Sequence, residues 1–177
     1  MSRARYERIE NPRPLSLNRG VTFTDPFGLC EDENGNWRRC TVTWVGGANA
    51  DITQETRDLA QRLADSADVD LLLSSGRREG SCDDSLHNCG MAFDISKING
   101  VDIGQGWVYN PEAHALVQQV QNTAQRFSEV RENFGPSGLY RSPSSGQPQA
   151  WLWPLWPDRR RDRLFWPHQN HIHIGMH

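Results

Sequence analysis

A chain of 177 residues is the size of one ordinary domain with a short appendage, long enough to bury a core without covalent staples. Its 22 acidic and 19 basic residues leave a net charge of -3, which argues against a nucleic-acid partner. No apolar run approaches the length of a membrane span, and no apolar stretch follows Met1-Ser2-Arg3-Ala4-Arg5, so neither a span nor a signal peptide is expected.

Residues 1–29 are polar, carry Pro12, Pro14 and Pro26, and show no hydrophobic periodicity, so they read as an irregular leader to a domain spanning 30–177. Within the leader, Asp25-Pro26-Phe27-Gly28 fits a turn with Pro at its second and Gly at its fourth position. Cys30 and Cys40 bracket a turn-rich segment suited to closing a hairpin, and Cys82 and Cys89 bracket His87. Of three possible pairings, Cys30–Cys40 with Cys82–Cys89 is preferred, and free buried thiols are the alternative. Disulfides would place the protein in an oxidising compartment such as a periplasm.

Cys40 to Val45 is β-branched and aromatic, hence a strand, ended by Gly46-Gly47. Asp51, with Gln54 three residues on, resembles a capping box for a helix running to about Ser66, whose Leu59, Leu63 and Ala67 share a face. Val69 to Ser74 is a short strand that delivers Ser75-Gly76-Arg77-Arg78 to its end. Met91 to Ser96 is another, with Ala92 and Asp94 on one face and Phe93 and Ile95 on the other. Small Gly90 and Ala92 would leave room for a ligand. Asn99-Gly100 signals a tight turn. Asn110-Pro111-Glu112 opens a second helix with Ala113, Leu116, Val117, Val120, Ala124 and Phe127 as its buried stripe and His114 exposed. Val130 to Phe134 fits a strand, and 135–148, rich in Gly, Pro and Ser, a loop.

Four of the seven tryptophans lie between Trp151 and Trp166, around Arg159-Arg160-Arg161. They could be core, or could wall a cleft before the last strand, His171 to Gly175. The arginines read as a solvated face or as a contact for an anionic polymer.

Two clusters carry chemistry. His87 and Asp94 stand seven residues apart, and His168, His171 and His173 follow at spacings of three and two. Catalytic zinc takes three His, Asp or Glu ligands and keeps one position open. His87, Asp94 and one histidine of the 171/173 pair would make such a set. On a strand, residues 171 and 173 face the same side, so one could ligate while the other handles protons. Taken alone, the same histidines could be an ordinary half-buried pair.

Ser85, His87, Gly90, Ala92 and Asp94 fill all five positions of Ser-x-His-x-x-Gly-x-Ala-x-Asp, and this segment resembles the D-Ala-D-Ala metallopeptidases, whose fold is shared with Hedgehog signalling domains. His168-x-x-His171-x-His173 is most similar to the penicillin-insensitive murein endopeptidases of that group, and Ser75-Gly76-Arg77-Arg78 is similar to its Ser-Gly-x-Arg. The likeness runs from about residue 50 to 177. It implies an α+β domain with a central antiparallel sheet and flanking helices. It implies zinc held by His87, Asp94 and His173. His171, with His168 beside it, would handle the proton, and Arg78 (Arg77 if the register slips by one) would steady the oxyanion. Ser85 would be structural. No acidic residue precedes the histidine pair closely, Asp162 being the nearest, so the expected carboxylate base is missing.

The implied substrate is a peptidoglycan stem or cross-link involving a D-amino acid, cut by an endopeptidase or a carboxypeptidase. Asp25-Pro26-Phe27-Gly28-Leu29 is similar to the motif that closes the core of Rhs repeat proteins ahead of their toxins. That implies a monomeric antibacterial effector delivered to a target periplasm and paired with a cognate immunity protein. The alternatives are a zinc-binding recognition module without hydrolysis and a housekeeping or phage wall endopeptidase.

Overall fold

The computed structural model describes residues 29–31, 34–46, 48, 51–107, 109–143, 145–147, 150–151 and 166–177. Most of the leader, and the aromatic and arginine-rich segment 152–165 with Asp162, lie outside them.

Strands β1 (Leu29–Glu31) and β2 (Trp37–Arg39) form a small antiparallel hairpin. The Cys30–Cys40 disulfide ties its two ends. Among the described residues the main sheet has eight strands: β3 (Val42–Trp44), β4 (Leu71–Ser75), β5 (Ala92–Ile98), β6 (Val101–Asp102), β7 (Val130–Gly135), β8 (Gly138–Arg141), β9 (Ala150–Trp151) and β10 (Ile172–Met176). Their order is β3-β4-β5-β10-β7-β8-β9, with β6 paired to β5. The fold is α+β, but the sheet is mixed rather than antiparallel throughout, because β3 runs parallel to β4. The connection between them is helix α1 (Gln54–Ala67), the kind of crossover that parallel neighbours require. The expected loop after residue 135 also contains a strand, β8, joined to β7 by a tight hairpin.

Helix α1 begins two residues later than the sequence suggested. Thr53 is its N-cap, accepting the Thr56 amide at 3.2 Å, while Asp51 sits before the helix at a φ of 57°. A threonine hydroxyl directly ahead of the apolar stripe satisfies an orphan donor that Asp51 is too far upstream to reach. Leu59 and Leu63 are fully buried and Ala67 nearly so. Burying each leucine contributes about 1.5–3 kcal/mol.

A short helix, α2 (Ile103–Gly106), follows β6. Helix α3 (Pro111–Ala124) starts as expected, with Asn110 accepting the Glu112 amide at 2.9 Å and proline in its first turn. Asn99 and Gly100 both take positive φ, 50° and 78°, which suits the two-residue turn between β5 and β6.

Helices α1 and α3 touch each other, α1 packing on β3 and β5 and α3 on β5, β7 and β10. Leu59, Leu63, Val117 and Val120 join Phe93, Ile95, Ile172 and Ile174 in one core. Side chains alternate along a strand. The neighbours of those core residues, Asp94 on β5 and His173 on β10, therefore point to the other face of the sheet. A long loop between β4 and β5 lies there, and it carries Arg78 and His87.

Candidate metal centre

His87 lies in a single 3-10 turn, Leu86–Cys89. Ser85 caps that turn, its hydroxyl accepting the His87 amide at 3.3 Å, which is the structural part the sequence suggested for it. Gly90 ends the turn at a φ of 69°, and a Cβ there would lie 2.5 Å from the carbonyl oxygen of Asp51. Its smallness therefore serves the turn and the close approach of the backbone before α1. It does not leave room for a ligand, as the sequence had suggested. The Cys82–Cys89 disulfide closes a loop that contains the turn and His87.

Across the sheet, His173 on β10 is the register partner of Asp94 on β5. Three atoms converge. His87 Nε2 is 3.1 Å from Asp94 Oδ1 and 3.1 Å from His173 Nδ1, and His173 Nδ1 is 3.0 Å from Asp94 Oδ1. All three residues are buried, at 3%, 3% and 6% exposure.

The remaining ring nitrogens fix the tautomers. His87 Nδ1 lies 2.6 Å from the Gly76 carbonyl oxygen, which can only accept, so Nδ1 carries the proton and Nε2 presents a lone pair. His173 stands between two carboxylates, Nε2 3.3 Å from Glu132 Oε2 and Nδ1 3.0 Å from Asp94 Oδ1, so a proton on Nε2 leaves Nδ1 a lone pair once a metal ion takes the place of a proton inside the triangle. Two ring nitrogens and a carboxylate oxygen meet in one triangle. Such an arrangement needs a positive charge among them, either a proton or a metal ion.

A metal bonded to nitrogen and oxygen at about 2.0–2.2 Å sets its donors about 3.3–3.6 Å apart at tetrahedral angles. The observed triangle is within a few tenths of an ångström of that. His87, Asp94 and His173 could hold a metal ion.

The charges around the triangle are strongly coupled. Burial alone would raise the Asp94 carboxyl, but hydrogen bonds with His173 and His87 outweigh it and hold it well below the usual carboxylate range. Burial opposes charge on His173, yet Asp94 and Glu132 on either side raise its pKa above the ordinary imidazole value.

The other three expected residues lie at the same place. Arg78 donates from Nη2 to Asp94 Oδ2 at 2.9 Å and is steadied by Ser75 Oγ at 3.1 and 3.2 Å. That engages one carboxylate oxygen and leaves Oδ1 alone to face the triangle. The Arg78 side chain is still 56% exposed, so part of the guanidinium faces solvent. Arg77 points elsewhere, 4.0 Å from Asp51 at the surface.

His171 Nε2 is 3.7 Å from Asp94 Oδ1, and its Nδ1 is 2.7 Å from Asn170 Oδ1. Burial lowers its pKa, with Asp94 opposing that effect and His173, Arg78 and His87 adding to it. The His168 ring lies 5.0 Å from that of His171 and 5.5 Å from that of His173. His114, expected to be exposed, is half-buried instead and stacks on Trp107 at 4.0 Å, apart from the triangle.

The sequence offered no carboxylate near the histidine pair, but the fold supplies Glu132. It comes from β7, the neighbour of β10. Burial would raise its carboxyl, but His173, Arg141 and Arg131 hold it below the ordinary glutamate value. No local motif marks Glu132, and only strand pairing brings it to His173. No protein-family model matches this chain, and neither a curated protein nor a solved structure is significantly similar to it.

Proposed function

We propose that the protein is a zinc-dependent peptidase acting on peptidoglycan stems or cross-links that involve a D-amino acid. In this reading the α+β domain is of the Hedgehog/D-Ala-D-Ala-peptidase type. The observation that carries it is the buried triangle of His87 Nε2, Asp94 Oδ1 and His173 Nδ1, with Arg78 and His171 beside it on the same side. Two imidazoles and one carboxylate, with Arg78 and His171 beside them, match a three-ligand catalytic donor set better than a four-ligand structural one. Zinc bound there would act as a Lewis acid, polarising an amide carbonyl and making water easier to deprotonate.

The chain's own groups do the rest. Asp94 is held by Arg78 so that one oxygen is committed and the other is free to ligate. The exposed part of the Arg78 guanidinium can steady negative charge as it develops on a carbonyl oxygen. Amide hydrolysis adds water across the carbon–nitrogen bond, so a proton must leave the water and one must reach the departing amine. His171 Nε2 is placed to accept and return that proton, and an imidazole titrates near neutral pH. His168 packs beside it and can assist.

Two disulfides, Cys30–Cys40 and Cys82–Cys89, favour work in an oxidising compartment. Together with the Rhs-like motif at residues 25–29, they support an antibacterial effector that acts in a target periplasm. Such an effector calls for an immunity protein in the producing cell.

The test is mass-spectrometric analysis of purified peptidoglycan after incubation with zinc-loaded protein, beside His173→Ala. New muropeptides made only by the wild type are expected, and they would name the bond. Tight zinc binding with no new product would replace this reading with a recognition module.

A further inference from the structure

His173 reaches the triangle with Nδ1, and the reason lies on the opposite side of its ring. On β10, His173 and Gly175 share a face. In the neighbouring strand Phe134 is the partner of His173 and Glu132 is the partner of Gly175. Phe134 lies nearly parallel to the imidazole, with ring centres 5.7 Å apart. A Cβ on Gly175 would lie 3.3 Å from His173 Nε2, 3.4 Å from Glu132 Cβ and 2.6 Å from Leu86 Cδ1. The space above Gly175 is thus taken by the Nε2 end of the imidazole, which leans along the strand toward Glu132.

Glu132 is itself held. Its Oε1 lies 3.3 Å from Arg141 Nη2 and 3.7 Å from Arg131 Nε, and Arg141 is its register partner on β8. Its Oε2 accepts from His173 Nε2 at 3.3 Å. Arg141, Glu132, His173 and Asp94 therefore form a chain of contacts across four adjacent strands, β8, β7, β10 and β5, with a diagonal step of two residues between Glu132 and His173.

We infer that Glu132 is a positioning residue that sets the tautomer and tilt of His173, so that the Nδ1 lone pair faces the metal position. This rests on His173 being a metal ligand. Only a group that accepts from Nε2 leaves Nδ1 free to ligate, and a carboxylate whose other oxygen is paired with Arg141 at 3.3 Å is oriented for that part. Carboxylates that take the outer proton of a ligating histidine orient the ring, and losing one weakens metal binding about 10–100-fold. Glu132 lies against Nε2, away from the nitrogen that faces the triangle. It is therefore placed to orient His173 and not to serve as the proton acceptor of the reaction.

The experiment is competition titration of zinc against a chromophoric chelator with the full chain, its disulfides intact. The proteins are wild type, Glu132→Ala, Glu132→Gln and His173→Ala, each checked for its folded far-ultraviolet spectrum. Glu132→Ala is expected to bind zinc about 10–100-fold more weakly than wild type. Glu132→Gln keeps an acceptor oxygen and is expected to recover most of that loss. Nitrogen-15 spectra of the histidine rings in zinc-loaded wild type should show His173 protonated at Nε2, a result that needs no variant to fold. Wild-type affinity in Glu132→Ala, equal weakness in the Gln and Ala variants, or a His173 ring protonated at Nδ1 would each overturn the assignment. Unchanged affinity in His173→Ala would instead overturn the metal site itself, so the two failures are distinguishable.

Discussion

Asp94 and His173 are direct partners across β5 and β10, and their ligand atoms meet 3.0 Å apart on the sheet face away from the helices. Two adjacent strands at the middle of an eight-stranded sheet are about the most rigid support the fold offers. His87 completes the set from a disulfide-bracketed turn. Replacing a residue of this triangle should therefore abolish tight binding without unfolding the sheet. His87→Ala and Asp94→Ala should each lower zinc affinity by more than about 100-fold, beyond the loss expected for a merely orienting partner. Metal content after gel filtration and equilibrium dialysis would check it. Stoichiometric zinc in either variant would remove that residue from the site.

Arg78 has a different expected signature. It binds Asp94 Oδ2 and keeps part of its side chain exposed to solvent. Arg78→Ala should lower kcat on a muropeptide substrate by about 100-fold, the order seen when a donor to developing negative charge is lost. Zinc affinity should change far less than in Asp94→Ala. A parallel fall of both would mean that Arg78 acts only by holding Asp94.

The two disulfides should separate in their effects. Cys82–Cys89 closes the loop that carries His87, whereas Cys30–Cys40 ties a hairpin outside the main sheet. Replacing Cys82 and Cys89 by serine should weaken zinc binding. Replacing Cys30 and Cys40 should leave zinc binding near wild type and lower stability by roughly 2–3 kcal/mol, as expected for a short closed loop. Zinc affinity and chemical denaturation, measured on both double variants, decide this.

Acid should act on the fold through Asp70. Its carboxyl accepts from Arg38 Nη1 at 2.9 Å and from the Thr41 amide at 2.6 Å, joining β2 and the start of β3 to the start of β4. The Arg38 hydrogen bond leads in lowering its pKa below the ordinary 3.8, against a desolvation effect that would raise it. A group with a depressed folded pKa contributes its full stability above the unfolded value and loses it as pH falls through the folded one. The pair is partly exposed and screened, so the contribution is about 1 kcal/mol or less. Asp70→Asn should melt up to about 2–4 °C below wild type at neutral pH. The gap should be constant above about pH 5 and close as pH falls below the ordinary carboxylate value. Melting curves of both proteins across that range provide the check.

The chemistry-bearing residues were legible in the sequence because their motifs are local. A spacing of seven, from a turn into a strand, brings His87 and Asp94 together, and His171, just ahead of β10, comes near Asp94 as His173 on that strand does. The helices α1 and α3 were legible from their apolar stripes, and the Asn99-Gly100 turn from its residues. The start of α1 was misplaced because Asp51 and Thr53 are both good caps and only the backbone path decides between them. The strand β8 was hidden because Gly, Pro and Ser around it read as loop, while pairing with β7 overrides that composition.

By itself the sequence determined helices and strands in one domain, with His87, Asp94 and one histidine of the 171/173 pair as the candidate donors, since each signal lies within a few residues of chain; the tertiary structure put His173 in the triangle. Only the tertiary structure decided that the sheet is mixed and that Arg78 clamps one oxygen of Asp94. The same holds for Glu132, a carboxylate 41 residues from His173 in the chain that holds its outer nitrogen. The physical reason is that strand pairing sets those contacts, and pairing joins residues whose separation along the chain leaves no local pattern to read.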